Sequence, residues 1–524
     1  MKTRLRAWGV LIAIAAALAA CSDSGGGGVS SGDTSAAPSG GPSPKNQLTI
    51  GITNPPLMFN PIDADGSGSS GASFTYRFFF EPLLETIGPL EFRMQLAESI
   101  ETTDNQTFRV AIHPDAHWTD GTPVTAADVA FTMNLVAHPK VITTLRPTIF
   151  ALEGLENGRL PEGADKLPSV KVIDEKHLEF RTAKPIDPNM VFERLSDLLI
   201  VPKHVLEGID PAELNQHPFW REPNVTSGPY KFVKYENKNY VELEANPQYY
   251  RGAPKIDKIF IKIMPAANMV AQLQSGELDM NAAQGVGNIP AQEWRTVQSF
   301  PHIRTEVERT RRYNSIEINT ERFPNKSFRK ALAYAIDRQM IVDQLMPGMG
   351  ELQDGPYSNS HPYHDPNVLK YPYDPEKAKQ LLAESGFDMN REVELIVPTG
   401  DRTRELAVNI IQQHLQAIGL KVRQVNFDFP TTVSRLVSGD FDLALSSFGS
   451  IIDPDGPSAI YRSTAALNDM RYNNPRVDEL FDLGMNEPDP KKRFEIYAEL
   501  QNLIQEDVPL VTIYSEFNLI AISK

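Results

Sequence analysis

The stretch that decides the fold runs from residue 393 to residue 427, VELIVPTGDRTRELAVNIIQQHLQAIGLKVRQVNF. It opens on an apolar run, Val393 to Val397, of strand length. A helical segment follows from about Thr403 to Ile418, and Gly419 stands where a helix-ending glycine belongs. The chain then enters a second strand from Leu420. Strand, helix and strand in so short a span make a βαβ unit, which implies a parallel sheet covered by helices. The fold class is therefore α/β.

The same punctuation recurs outward from this unit. Ser327 can cap a helix whose Phe328, Ala331, Leu332, Ala335 and Ile336 follow the i, i+3, i+4, i+7, i+8 stripe of a buried face. Asp374-Pro375 and Asp489-Pro490 each pair an N-cap acid with a first-turn proline, and Gly386 closes another helix. A helix is expected around Phe74 to Thr86. One local pattern occurs twice: Leu273-Gln274-Ser275-Gly276-Glu277-Leu278-Asp279 is echoed by Leu436-Val437-Ser438-Gly439-Asp440-Phe441-Asp442. In each copy a helix stops at glycine and a strand begins. Two such copies suit two similarly built lobes with a ligand held between them.

A chain of 524 residues has room for two to four domains. Its 51 basic and 67 acidic residues leave a net charge of −16, the wrong sign for a phosphate-seeking protein, so no nucleic-acid partner is expected. One cysteine, Cys21, excludes disulfide scaffolds, CxxC redox motifs and zinc-thiolate sites. Residues 1–20 start with Lys2, Arg4 and Arg6 and continue apolar from Ala7 to Ala20, as a signal peptide does. Leu18-Ala19-Ala20-Cys21 resembles a bacterial lipobox, in which the Cys21 thiol receives a diacylglyceryl group. Residues 21–45, rich in Gly, Ser, Ala and Pro, read as a lipidated flexible tether. The body is expected outside the cytoplasmic membrane, at the cell surface or in the periplasm, held to the membrane by lipid.

Several motifs lack the context their chemistry needs. Gly66-Ser67-Gly68-Ser69-Ser70-Gly71 fits GxGxxG but follows a proline-rich stretch instead of a buried strand. Gly28-Val29-Ser30-Ser31-Gly32 fits GxSxG but lies in the tether. His113 and His117 are four apart, but Pro114 intervenes and the HExxH glutamate is missing, while His361 and His364 lie in a loop crowded with Pro and Tyr. Asp453-Pro454-Asp455-Gly456-Pro457 lacks the later ligands of a calcium loop and reads as a rigid turn. No catalytic set, metal site or cofactor is expected.

Leu96-Ala97-Glu98-Ser99, Thr107-Phe108-Arg109-Val110 and His117-Trp118-x-Asp120-Gly121-x-Pro123-Val124-Thr125-Ala126-x-Asp128-Val129 form a strand, an Asp-Gly turn and a helix opened by a Thr125/Asp128 capping box. Ser227-Gly228-Pro229-Tyr230-Lys231-Phe232, Asn246-Pro247-x-Tyr249-Tyr250-Arg251-Gly252, Arg329-Lys330-Ala331-Leu332-x-Tyr334-Ala335-Ile336-Asp337-Arg338 and Ile504-x-x-Asp507-x-Pro509-Leu510-Val511 follow in order. Together they resemble the peptide-binding and nickel-binding class of bacterial extracellular solute-binding proteins, the receptors of ABC importers. The resemblance spans about residues 46–524.

It implies a two-lobed periplasmic-binding-protein-like fold with mixed sheets, an extra subdomain in lobe I and a ligand cleft between the lobes. Lobe I maps to 46–308 and 488–524, and lobe II to 309–487, with hinges near Arg304–Tyr313 and after Asp453–Asn474. The implied ligand contacts are Asn54, Tyr313, Asn314, Phe448, Gly449, Ser450, Asp453 and Tyr514. Peptide-binding members commonly carry an aspartate just before the Asp-Pro turn, where this chain has Ser450. Asp453 or Asp455 is the substitute if the turn brings a carboxylate inward.

The function expected from the resemblance is a monomeric, non-enzymatic lipoprotein that captures oligopeptides and delivers them to ABC permease subunits. A peptide is expected to pair with the strand ending Ser446-Ser447-Phe448-Gly449-Ser450. The alternatives are the same receptor role for a nickel chelate, an oligosaccharide or an opine-like solute, and, from a different class, a secreted hydrolase or a peptide-signal receptor.

Overall fold

The computed structural model describes residues 46–62, 70–149, 151–156, 158–282, 286–310, 312–399, 401–449, 453–465 and 467–524. The expected signal peptide, Cys21, the tether and Ser450 lie outside the described residues. The chain divides into two compact units. One takes Met1–Glu101, Phe108–Arg181 and Arg194–Ala282; the other takes Thr102–Thr107, Thr182–Glu193 and Ala283–Lys524.

The first unit carries β1 (Gln47–Ile52), β2 (Leu84–Gly88), β3 (Glu91–Met94), β4 (Ala97–Thr102) and β5 (Thr107–Ile112) but for the end residues Thr102 and Thr107, β6 (Val170–Val172), β7 (His177–Arg181), β8 (Tyr230–Glu236), β9 (Tyr240–Ala245), β10 (Lys258–Ile263) and β11 (Met280–Asn281). β1 runs parallel to β10 on one side and to β11 on the other. β9 and β8 extend the sheet antiparallel beyond β10. Ile50 and Ile52 of β1, with Ile259 and Ile261 of β10, are fully buried and form part of its core. A separate sheet orders its strands β4-β5-β7-β6, and there the rings of Phe108 and Phe180 stack at 5.1 Å.

The second unit holds β12 (Ile303–Glu308), β13 (Arg312–Ile318), β14 (Gly350–Glu351), β15 (Glu392–Pro398), β16 (Lys421–Phe427), β17 (Leu443–Gly449), β18 (Leu510–Glu516) and β19 (Asn518–Ser523). Six of these form a sheet in the order β14-β18-β13-β17-β15-β16. β15 and β16 are parallel, in register from Glu392↔Lys421 to Pro398↔Phe427. The helix Arg402–Ala417 joins them: Asp401 caps it by accepting the Arg404 N–H at 3.0 Å, and Gly419 leaves it at φ 98°. The βαβ unit expected from residues 393–427 is thus present. Of the last two strands, β18 pairs with β13 and β14, whereas β19 pairs antiparallel with β12.

Local signals behave as their chemistry dictates. Both copies of the repeated pattern end a helix, Ala266–Ser275 or Phe429–Ser438, at a left-handed glycine: Gly276 at φ 76° and Gly439 at φ 74°. Each copy's final aspartate then ties the chain down. Asp279 accepts the Thr49 N–H at 2.7 Å, and Asp442 takes Arg322, Arg391 and the Glu394 N–H. The Asp128 carboxylate accepts both the N–H and the hydroxyl of Thr125 at 2.8 Å, closing that helix start.

Two expectations need correction. The helix Lys326–Ala335 is capped by Asn325, whose side chain accepts the Ser327 N–H at 2.8 Å, and not by Ser327. Asparagine caps as well as serine, and the Asn325 amide also donates to the Ser385 carbonyl at 3.0 Å. The helix expected around Phe74 to Thr86 spans only Ser70–Tyr76, and Leu84 already belongs to β2. Pro82 lacks the N–H a helix needs and drives Glu81 toward extended backbone, so the pattern cannot continue through it.

Candidate ligand-binding site

In open α/β sheets the carboxyl ends of the parallel strands border the crevice where ligands bind. In the second unit these are the ends of β15 and β16 at Pro398 and Phe427, and of β17, parallel to β15, at Gly449. β13 is antiparallel to β17 and brings its first residues to the same end, Arg312 opposite Gly449 and Tyr313 opposite Phe448. β18 is antiparallel to β13 and brings its last ones, with Tyr514 opposite Asn314. Five expected site residues, Tyr313, Asn314, Phe448, Gly449 and Tyr514, therefore meet at one sheet end. Asn54 is exposed just after β1 in the first unit.

Tyr313 is 1% exposed and its ring lies 5.8 Å from that of Phe448. Burial pushes its hydroxyl pKa up. β17 changes character along its length: Leu443 to Leu445 are buried, Ser446 to Phe448 half-buried and Gly449 exposed. On one side it is laddered to β13 throughout. On the other, β15 matches it only at Leu395↔Leu443 and Ile396↔Ala444. Among the described residues, the backbone of Leu445–Gly449 has no ladder partner on that second edge.

Asp453 is fully buried and already engaged. Arg493 Nη2 lies 3.2 and 2.9 Å from its two carboxylate oxygens, and Nη1 lies 2.8 Å from Asp187 Oδ2. Arg493 Nε donates to the Gly484 carbonyl at 2.8 Å, and its guanidinium faces the rings of Tyr363 and Tyr497, each at 5.6 Å. Burial alone would lower the Arg493 pKa, but Asp453, with Tyr497, Tyr363 and Asp187, holds it above the ordinary value. The loop is further pinned by the Asp453 N–H donating to Glu193 and by Tyr357 donating to the Pro454 carbonyl.

Sequence reading missed four residues at the sheet end: Arg312, Asp401, Arg404 and Glu516. The βαβ pattern carried a signal for Asp401 and Arg404, since the first turn after a parallel strand opens at that end. Shielded polar atoms concentrate here. Asn314 Oδ1, Ser315 Oγ, Arg404 Nε, Tyr514 Oη and Glu516 Oε1 have no hydrogen-bond partner among the described residues. Leaving such a group unsatisfied costs about 1–3 kcal/mol, so folds seldom gather several without a use. The Glu516 carboxyl is pushed up to about 7, first by burial and then by Asp401, against the pull of Arg404 and Arg312.

Residues 91–469 match the family described as bacterial extracellular solute-binding proteins, family 5 middle. The chain is 29% identical to the oligopeptide-binding protein AppA of Bacillus subtilis over 545 residues, covering 99% of this chain and 94% of that protein. The solved structure of that AppA in complex with a nonapeptide superposes with a TM-score of 0.78 at 27% identity, covering 91% of this chain and 94% of the other. The ABC transporter substrate-binding protein CtaP of Listeria monocytogenes superposes with a TM-score of 0.79 at 26% identity over 91% and 94% of the two chains. The fold class is accordingly the two-lobed α/β fold of periplasmic binding proteins, as expected from the motifs.

Proposed function

We propose that this chain, which belongs to the bacterial extracellular solute-binding proteins of family 5, is an oligopeptide receptor of an ABC importer. The observation that carries the peptide reading is the unladdered edge of β17 at Leu445–Gly449, next to half-buried side chains. An extended peptide can add there as a further strand, its backbone supplying affinity and loose side-chain pockets supplying tolerance. Tyr313, Asn314, Phe448, Gly449 and Tyr514 surround this edge in the reading, with Ser450 next in the chain. The relative named as oligopeptide-binding, and its nonapeptide complex, support the same ligand class. The protein binds without turnover, as a monomer, and hands its cargo to permease subunits. Lobes at 46–308 with 488–524, and at 309–487, belong to this proposal. So does lipid attachment at Cys21, which holds the protein, outside the cytoplasmic membrane, to the membrane by its acyl chains.

Calorimetric titration with a nonapeptide and with copies N-methylated at single amides tests the strand-addition mode. Methylation at the amides facing β17 should weaken binding by tenfold or more, and methylation at the alternate amides by little. Equal tolerance at every amide would overturn strand addition, and a panel of peptides of two to ten residues with no binder would overturn the peptide reading. Cys21→Ser should release the protein from membranes; unchanged retention with normal processing would overturn the lipid anchor.

A further inference from the structure

Three elements bring five side chains together at the sheet end: Arg312 opens β13, Asp401 and Arg404 open the helix Arg402–Ala417, and Tyr514 and Glu516 end β18. Most of their polar capacity is spent within the fold. Asp401 caps its own helix through the Arg404 N–H, and Arg404 Nη2 lies 3.7 Å from Asp401 Oδ2. Arg312 Nε donates to Ser447 Oγ at 3.3 Å. On the neighbouring β14, Glu351 is paired with Arg309 at 3.3 Å. What is left over is Glu516 Oε1, the Tyr514 hydroxyl and Arg404 Nε, all shielded and without a hydrogen-bond partner among the described residues. Tyr514 is only 2% exposed, and its hydroxyl lies within electrostatic reach of Glu516 and Asp401.

Glu516 is thus a half-buried carboxyl with one oxygen shielded and no cation within ion-pairing distance among the described residues, at the end of the sheet where a solute is read to dock. A buried carboxylate needs an opposite charge or a proton. We propose that Glu516, supported by the Tyr514 hydroxyl, receives a cationic group of the bound solute: an ammonium or guanidinium carried at a peptide's amino terminus or on a basic side chain. This inference rests on the peptide reading above. It also supplies the acid missing at Ser450, a role Asp453 does not fill because Arg493 already holds its carboxylate.

With its pKa raised to about 7 by burial, Glu516 is partly protonated near neutrality. Ion pairing with the solute displaces that proton to solvent. Affinity for the cationic solute therefore rises as pH climbs toward 7 and levels off above it. The limiting slope is about tenfold per pH unit on the acid side.

The test is calorimetric titration of the wild type, Glu516→Gln and Tyr514→Phe with four peptides of one sequence. They carry a free or acetylated amino terminus, combined with lysine or norleucine at one position. In the wild type at pH 7.5, removing the recognised cation should weaken binding by about tenfold or more. The arm that responds, acetylation or norleucine, identifies where the cation resides. Glu516→Gln should shrink the difference below about threefold and flatten the pH dependence between 5.5 and 7.5. Tyr514→Phe, which removes only a hydroxyl, should reduce the difference partially. Discrimination that survives Glu516→Gln, or a wild type indifferent to both changes, overturns the inference while leaving peptide capture standing. A panel in which no peptide binds removes the peptide reading and this inference together.

Discussion

Asp453 is fully buried in the second unit and Glu516, half-buried, keeps one carboxylate oxygen shielded; their surroundings differ in one respect. Asp453 meets the Arg493 guanidinium with both oxygens, and the same guanidinium takes Asp187, which is 306 positions away in sequence. Glu516 ends β18 with one oxygen shielded and without a hydrogen-bond partner among the described residues. A third arrangement lies in the first unit, where Glu81 is buried, accepts the Tyr249 hydroxyl and is pushed up to about 8 by burial. A fold can hold a buried acid with a cation, with a proton, or with room for a charge that arrives from outside. The first two are architecture. The third is informative about a ligand, because the fold by itself gains nothing from it.

The contrast breaks most readily at Arg493. Arg493→Met leaves Asp453 as a fully buried charge and Asp187 as a half-buried one, both without their cation, and should cost about 3–5 kcal/mol in denaturant unfolding. A loss below about 1 kcal/mol would mean the network is not holding the loop, and would free Asp453 to act as a ligand anchor.

The proton-held acids sharpen the comparison at the next level. Glu81 and Glu317 are both fully buried, and burial pushes each up to about 8. A carboxyl whose folded pKa is raised stabilises the fold fully below its ordinary value near 4.5, and loses that contribution as pH rises through about 8. Thermal stability should therefore fall between pH 5 and pH 9, at up to about 1.4 kcal/mol per pH unit for each group. Glu317→Gln, which cannot ionise, should flatten part of that slope. A slope unchanged by the substitution would show that Glu317 is ionised in the folded protein.

The smallest effect is expected at Tyr514→Phe. Its hydroxyl makes no hydrogen bond among the described residues, so its removal should cost the fold nothing and should relieve part of the about 1–3 kcal/mol that a shielded, unsatisfied group carries. A loss above about 1.5 kcal/mol would show that the fold uses the hydroxyl, and would dissolve the distinction between Tyr514 and the scaffold.

What the sequence made legible was what is locally encoded. The strand at Val393–Val397, the helix after it and the glycines at 276, 419 and 439 announce themselves within a few residues, because capping and backbone handedness are short-range effects. Asn325 in place of Ser327, and the helix stopped short of Pro82, show the same rules misread by two residues or by one missed proline. Tyr313, Asn314, Phe448, Gly449 and Tyr514 could be named together through their motif context. Their meeting depends on strand order β18-β13-β17, which a linear reading does not contain. Nothing in residue spacing pairs Asp187 with Arg493 or tells that Glu516 is left without such a pair among the described residues. Charge pairing is decided by which strands and helix ends become neighbours.

The central claim is that this chain captures peptides intact. Native mass spectrometry of the purified protein mixed with an equimolar library of peptides of two to ten residues measures it most directly. The expected result is one peptide per chain, released on activation at its original mass. A spectrum showing the chain without adducts, or peptides recovered shorter than they were added, would contradict it.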